Sequence, residues 1–251
     1  MTAWLRMLWF HVRQFAKVGY FVHLTVAGTI SACLLQRLGA GSGASMDPVA
    51  WLRAAEIGLW TTCTASAGII GFQRHQGTLA PILVGRRPAA ESLSALVAAA
   101  ATFGLLAFPL AGVLTALLGG PVRASAATAV GALLVWAGAT AASLAVASLF
   151  VLTPHAITFE VLLLVPLVFA SGMLGFPAWL PHGVAHASLV VPFSGGVHLL
   201  AGSVGAPAIT APAWALAAAS VASTCGWLLL ARAGLARCLH QARAEATLEV
   251  L

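Results

Sequence analysis

Apolar runs long enough to cross a lipid bilayer recur along this 251-residue chain, and they constrain its fold more than any other feature. A helix of about twenty apolar residues spans the hydrocarbon core. No alternating pattern typical of barrel strands accompanies the runs. The sequence therefore predicts an all-α integral membrane protein with six transmembrane helices. Their expected ranges are residues 18–35, 50–72, 93–118, 126–152, 157–176 and 213–230.

The composition agrees with this fold class. Apolar residues make up 61% of the chain and charged residues 7%, whereas soluble domains have about 45–50% and 25%. The net charge of +6 does not indicate a nucleic-acid partner, because the cations lie at the ends of the apolar runs. The preference for alanine and for arginine over lysine is typical of GC-rich coding DNA, so we expect a bacterial plasma membrane.

Cysteine and histidine spacing predicts neither a disulfide framework nor a metal centre. No C-x-x-C pair occurs, and we expect free thiols that act as small apolar side chains. His182 and His186 have the i, i+4 spacing of a metal-binding pair, but two ligands are too few for a site. The four cysteines are Cys33, Cys63, Cys225 and Cys238.

Residues 1–17 have the pattern of an amphipathic helix lying on the membrane surface. Apolar residues such as Trp4, Leu8 and Trp9 fall on one helical face, whereas Arg6 and Arg13 fall on the other. This arrangement is typical of interfacial helices. A transmembrane domain over 18–233 and a tail over 234–251 would follow.

The distribution of cations predicts the orientation. Six spans place both termini and the loops at 74–91 and 153–155 on one side of the membrane, with nine of the twelve cations. Cytoplasmic loops carry the excess of lysine and arginine, so we expect both termini in the cytoplasm. The nine cations are Arg6, Arg13, Lys17, Arg74, Arg86, Arg87, Arg232, Arg237 and Arg243.

Residues 177–212 are apolar but broken by five prolines and many glycines. No uninterrupted run in this region is long enough to span the membrane. Irregular backbone at membrane depth must be covered by protein or face water. The sequence therefore predicts a segment that dips into the membrane and packs against the bundle.

A short basic segment, residues 71–88, lies between the second and third apolar runs. Four cations or potential cations occur within it, so it is expected in water while its flanks are in lipid. Its recognisable features are Gly77-Thr78-Leu79, then Leu83, then the basic end Arg86-Arg87-Pro88.

These features resemble the loop after the second span in type-2 ABC transporter permeases. The resemblance implies a permease subunit of an ATP-driven exporter, in which two permease and two ATPase subunits form the pump. It also implies that residues 1–17 are a cytoplasmic elbow helix and that 177–212 is an external re-entrant region. In such permeases the loop at 74–91 contacts the ATPase. The coupling residues would be Arg74, Gly77, Thr78, Leu79, Ile82, Leu83, Arg86 and Arg87.

The resemblance further implies a transport path lined by the second and fifth spans, for a drug-like, peptide or lipid substrate. The path-facing positions would be Thr61, Thr64, Phe159, Glu160 and Phe169. The chain lacks the G-x-x-x-x-G-K-[ST] phosphate loop, since its single lysine, Lys17, has no glycines before it. We therefore expect no cofactor in this chain, with ATP and Mg²⁺ held by the separate ATPase.

The basic segment departs from the family where acidic residues are usual. Gln73, His75 and Ala80 occupy positions at which the family carries acids. The contact surface is thus positive, and we expect an acidic cleft on the ATPase, with Leu79, Ile82 and Leu83 as apolar anchors. The partner permease would be a second copy of this chain or a related chain with the usual loop.

Other interpretations remain open from the sequence. Thr61, Thr62, Thr64 and Ser66 either line a path or serve ordinary helix packing. Glu160 either faces the bundle interior or reaches the membrane interface. One alternative function is a scaffold or anchoring subunit without transport. Another is an intramembrane hydrolase built on Ser194 and nearby histidines such as His198.

Overall fold

The protein is described from a computed structural model, which covers residues 2–41, 45–150, 160–177, 179–207 and 209–244. Within these ranges the chain forms eleven α-helices, two 3₁₀ helices and no β-strand. The α-helices are α1 Ala3–Val18, α2 Tyr20–Ala40, α3 Ala50–His75, α4 Leu79–Val84, α5 Ala89–Thr102, α6 Ala107–Leu117, α7 Ala126–Phe150, α8 Glu160–Ser171, α9 His182–Ala187, α10 Ser194–Ser203 and α11 Ala213–Ala244. The fold is all-α, as the sequence predicts.

Helix α1 lies on the outside of the bundle and contains no fully buried residue. The side chain of Thr2 caps it by accepting a hydrogen bond from the Leu5 amide. One face packs against α5, where Trp4 Nε1 donates to Ser94 Oγ at 3.1 Å. Its other face exposes Trp9 and Phe10. The helix is therefore present and amphipathic, and its position on a membrane surface stays a prediction.

Helix α3 is at the centre of the bundle, because it packs against α2, α5, α6, α7 and α8. Apolar side chains such as Leu52, Leu59 and Ile70 are almost fully buried along its length. Its 26 residues extend about 39 Å at 1.5 Å per residue. The helix is thus long enough to cross a hydrocarbon core of about 30 Å.

The third predicted span is one apolar run in the sequence but is locally rewound in the structure. A 3₁₀ helix, Phe103–Leu106, separates α5 from α6. Pro109 follows in the first turn of α6. Proline has no amide hydrogen for the carbonyl one turn earlier and crowds that carbonyl, and a tighter 3₁₀ turn accommodates this.

Glycines bring the backbones of α7, α10 and α11 close together. A Cβ atom on Gly138 of α7 would lie 2.5 Å from the Pro192 carbonyl, just before α10. A Cβ atom on Gly195 of α10 would lie 2.5 Å from the Leu216 carbonyl of α11. Only glycine fits at such contacts. Gly138 thus lets α7 approach the backbone that leads into α10.

The region 177–212 forms short helices rather than a span. It contains α9, a 3₁₀ helix at Ser188–Val190, and α10. The ten residues of α10 extend about 15 Å, and they pack on α7 and α11. Residues 194–200 of α10 are all buried. The expected broken segment packed against the bundle is therefore present, and its external location stays a prediction.

Four helical segments are long and apolar enough to cross a membrane: Tyr20–Ala40, Ala89–Leu117, Ala126–Phe150 and Ala213–Arg237. They support an integral membrane protein. Helix α3 is not among them, because Glu56 and a series of threonines and serines lower its hydropathy. The described part of the fifth predicted span, α8, has twelve residues, and residues 151–159 lie outside the described ranges.

Candidate functional site

The basic segment that the sequence singles out forms a turn and a short helix at the carboxyl end of α3. Gly77 adopts a left-handed conformation with φ +69° and has open space around it. Thr78 Oγ1 donates to the Gln73 carbonyl at 3.1 Å and also contacts the Gln73 side chain. Glycine tolerates this conformation, and the threonine closes the turn. Helix α4 follows this turn and packs on α3 and α5.

A contact surface requires exposed side chains, but three of the predicted coupling residues are buried or partly buried. Leu79 is 1% exposed and belongs to the core of this chain, so it anchors α4 inward and is not free to anchor a partner. Arg74 is 7% exposed. Ile82 is partly buried against the core. For Leu83, only the helical backbone is described. The accessible positive charge is therefore at Arg86 and Arg87.

A cavity of about 300 Å³ is lined by residues of α1, α4 and α5, and Arg86 and Arg87 line it together with His11. Arg87 Nη1 lies 3.8 Å from Glu91 Oε2, one turn along the chain. Burial lowers the pKa of the His11 imidazole, because desolvation disfavours its charged form. At neutral pH the positive charge of this cavity therefore comes from the two arginines.

Of the predicted path residues, the structure describes the side chains of Thr61, Thr64 and Phe169. Thr61 Oγ1 donates to the Ile57 carbonyl at 2.8 Å, and Thr64 Oγ1 donates to the Thr61 carbonyl at 2.8 Å. A Cβ atom on Gly28 would lie 2.9 Å from Thr61 Oγ1, so Thr61 faces α2. Phe169 of α8 is 63% exposed. Phe159 lies outside the described residues, and Glu160 is described only as the first residue of α8.

The neighbouring hydroxyl groups serve helix packing. Thr62 Oγ1 and Thr25 Oγ1, on α3 and α2, are 2.6 Å apart. Ser143 of α7 donates to the Cys63 carbonyl at 2.7 Å. Ser66 donates to the same carbonyl at 2.6 Å. Of the two interpretations left open by the sequence, these bonds favour helix packing, through an interhelical contact for Thr62 and a bond within α3 for Ser66.

A second cluster of polar side chains lies at the amino end of α3, which the sequence did not single out as a site. Arg53 and Glu56 line a cavity of about 320 Å³ together with His198. We call this cavity the polar chamber. Its wall is completed by Val49, Gly172, Met173, Gly175, Phe176, Val197, Ala201, Ala206 and Pro207.

The two charged residues of the polar chamber do not form the ion pair that their spacing allows. Within the described ranges, Arg87–Glu91 is the ion pair that forms. The guanidinium of Arg53 lies instead against the turn after α8, where a Cβ atom on Gly175 would be 2.7 Å from Nη2. Glu56 is 2% exposed. The chamber therefore holds a basic and an acidic side chain of one helix that are not in contact.

A hydrogen-bond network of serines fixes His198 in the chamber wall. Ser188 donates to the Ala185 carbonyl at 2.6 Å, and Ser194 donates to the Ser171 carbonyl at 2.9 Å. Ser188 Oγ also lies 2.9 Å from His198 Nε2. Each hydroxyl has a single hydrogen. Ser188 Oγ is also 2.7 Å from Ser194 Oγ, so the two serines and the imidazole form one buried network.

This network bears on the hydrolase alternative. A serine nucleophile needs a hydroxyl that gives its hydrogen to an imidazole, whereas Ser194 donates to the Ser171 carbonyl at 2.9 Å. Ser194 is 0% exposed and Ser188 is 4% exposed. The arrangement favours a structural role for these serines, which tie α10 to the carboxyl end of α8.

Metal-ligand geometry is not found among the described residues, which contain no group of three histidine, cysteine or acidic side chains. His186 of α9 is exposed, and the side chain of His182 is not described. Cys33 and Cys63 are buried free thiols, and Cys225 is an exposed one.

No protein-family model matches the sequence, and comparisons with curated proteins and with solved structures find no match either.

Proposed function

We propose that this chain is the permease subunit of an ATP-driven exporter of the ABC type, energised by a separate ATPase subunit. The observation that carries the proposal is the basic segment at the carboxyl end of α3. A left-handed turn at Gly77 and the short helix α4 are followed there by exposed Arg86 and Arg87. This geometry suits a docking element between two spans.

Six spans follow if α3 and a helix ending with α8 are added to the four apolar segments. Glu56 and Arg74 are eighteen residues apart on α3, or about 27 Å along its axis. The polar chamber and the basic segment would thus lie on opposite sides of the bilayer. With the excess of cations inside, the termini and α4 are cytoplasmic in this proposal, and α1 lies on the inner surface of the plasma membrane.

Contacts of α4 provide a route for coupling. Leu79 anchors the start of α4 in the core, and the hydrogen bond from Thr78 to Gln73 ties it to the last turn of α3. A force on α4 from a moving ATPase would therefore reach α3 and α5, against which α4 packs. The substrate would be a drug-like, peptide or lipid molecule moved out of the cell.

Docking has an electrostatic component in this proposal. Arg86 and Arg87 are exposed, and one nearby acid, Glu91, partly compensates them. An acidic cleft on the ATPase would complement this charge. Each exposed pair contributes only about 0.2–1 kcal/mol. Assembly should weaken as salt shortens the Debye length from about 10 Å at 0.1 M to about 3 Å at 1 M.

A second permease chain would complete the pump. In the most apolar 18-residue stretch of α2, 28% of the sequence is buried within this chain, and in that of α11 the share is 11%. Their remaining apolar surface faces lipid or a second permease, either a copy of this chain or a related one.

The test is recovery of an ATPase from native membranes with the tagged chain. We expect the double variant Arg86→Glu, Arg87→Glu to lower ATPase recovery and to abolish its dependence on salt. The matched control is Arg37→Glu with Arg123→Glu, which reverses two charges at the opposite end of the bundle and should change nothing. The ATP turnover of the copurified ATPase should also depend on the presence of the chain.

Two results would contradict the proposal. ATP hydrolysis by the rigorously isolated chain would remove the need for a separate ATPase. Recovery of an ATPase whose turnover is indifferent to the chain would favour the alternative of a membrane scaffold or anchor.

A further inference from the structure

The polar chamber contains a buried carboxylate without a partner. Glu56 is 2% exposed, and no residue that the structure describes gives its carboxylate a hydrogen bond or an ion pair. Arg53 forms no ion pair with it, because the guanidinium lies against Gly175. An acid inside a membrane-embedded bundle is costly and usually faces a cavity with a function. Glu56 meets this description, since it lines the chamber.

The chamber also presents the opposite charge. Arg53 precedes Glu56 by three residues, so both side chains project from nearly the same face of α3. The guanidinium is directed to the turn at Gly175, away from contact with the carboxylate. The cavity therefore offers a cationic group and an anionic group that one ligand can contact simultaneously.

Charge balance selects the class of ligand. An ammonium group is attracted to Glu56, but a ligand with that charge alone is repelled by Arg53. The reverse holds for a simple anion. A ligand with both charges satisfies both side chains and adds no net charge to the bundle.

The rest of the wall suits an apolar body. Met173, Phe176 and Val197 line the chamber beside the charged pair. His198 adds a fixed polar group, because its Nε2 is hydrogen-bonded to Ser188 Oγ at 2.9 Å. A volume of about 320 Å³ is within the range of small-molecule sites.

We propose that the polar chamber binds a small zwitterion, with its ammonium group at Glu56, its carboxylate at Arg53 and an apolar body against Phe176 and Met173. The site exists whether or not the chain transports. Its place at the outward end of a transport path, and hence an amino-acid or short-peptide substrate, rests on the proposed function.

Three probes with the same phenyl body separate the charges. Phenylalanine carries both groups, phenethylamine only the ammonium, and 3-phenylpropionate only the carboxylate. Equilibrium binding of labelled phenylalanine to the full chain in lipid nanodiscs is measured in competition with the other two. We expect phenylalanine to bind at least about tenfold more tightly than either, the smallest gain expected from one charge-assisted hydrogen bond.

Single variants assign each charge to its residue. Glu56→Gln should remove the advantage of phenylalanine over 3-phenylpropionate, and Arg53→Gln should remove its advantage over phenethylamine. Ala201→Phe, which fills the chamber from α10, should weaken all three probes together. The matched controls Glu91→Gln and Arg37→Gln lie outside the chamber and should leave binding unchanged.

The outcomes distinguish this proposal from the proposed function. No saturable binding of any probe, or equal effects of the chamber and control variants, would overturn the zwitterion site and leave the chamber filled by water. Neither result affects ATPase recovery, which depends on the other end of α3. Conversely, loss of ATPase dependence with phenylalanine binding intact would overturn the permease and retain the site.

Discussion

The two ends of α3 handle charge in opposite ways. At the amino end, Glu56 is sealed inside the bundle and Arg53 reaches across a cavity. At the carboxyl end, Arg86 and Arg87 beyond α4 stand in the open, and Glu91 pairs with Arg87 on the surface. Surface charges are stabilised by water and contribute little to folding, whereas enclosed charges need a partner. The difference indicates docking at one end and ligand recognition at the other.

The two ends also differ in how they are built. On α10, whose Val197 and His198 line the polar chamber, Gly195 lets backbone meet backbone. At the basic segment, Gly77 has no neighbour within 4 Å and serves only the turn. The chamber end is therefore rigid and intolerant of added atoms, whereas the basic segment can adapt to a partner.

The contrast between the two ends of α3 would be wrong if the polar chamber and the basic segment lay on the same side of the membrane. In a chain whose native cysteines are replaced, Gln76→Cys and Ala206→Cys place exposed thiols at the two ends. An impermeant thiol reagent added to intact cells should label Ala206→Cys and leave Gln76→Cys unlabelled, an all-or-none contrast that follows from the positive-inside rule.

Permeabilised cells supply the control for this labelling, because both variants should then react. Labelling of Gln76→Cys in intact cells would invert the topology, and the docking proposal would fall with it.

A smaller effect is expected from adding one methyl group at the close helix contact. Gly138→Ala would place a Cβ atom 2.5 Å from the Pro192 carbonyl, and backbone cannot move aside as a side chain does. We expect a loss of about 3 kcal/mol in the free energy of unfolding, measured in detergent micelles. The matched control, Gly226→Ala in α11, meets nothing within 4 Å and should gain about 0.5–1 kcal/mol from helix propensity. If Gly138→Ala were as stable as the unmodified chain, the backbone contact at Gly138 would not be tightly packed.

The smallest expected effect compares one hydroxyl at each end. Ser194→Ala leaves the Ser171 carbonyl without its donor inside the bundle, which should reduce the free energy of unfolding by about 1–3 kcal/mol. Thr78→Ala removes an exposed bond to Gln73 that water replaces, so less than about 0.5 kcal/mol is expected. Chemical denaturation of both variants checks the contrast, and a larger loss for Thr78→Ala would reverse our view of the two ends.

Much of the fold could be predicted because it follows from local pattern. Apolar length gave the four spanning segments, and the prolines of 177–212 gave the break into short helices. These features depend on a few neighbouring residues, which one sequence displays directly.

The polar chamber could not be predicted because it depends on distant parts of the chain. The spacing of Arg53 and Glu56 along one helix does not show that Gly175 receives the guanidinium. For the same reason, Leu79 and Arg74 were expected in a contact surface although the core and the bundle bury them. Helical spacing says which residues share a face, but only packing says what covers that face.

Helix α11 continues from Ala213 to Ala244 without a break, although the sequence predicted that its span would end near residue 230. Its 32 residues extend about 48 Å, whereas the hydrocarbon core is about 30 Å thick. When a straight helix of this length is tilted by about 20°, its two ends are offset by about 16 Å in the membrane plane. A thicker bilayer would reduce the tilt of α11, so the lateral displacement of Arg237 would decrease as membrane thickness increases.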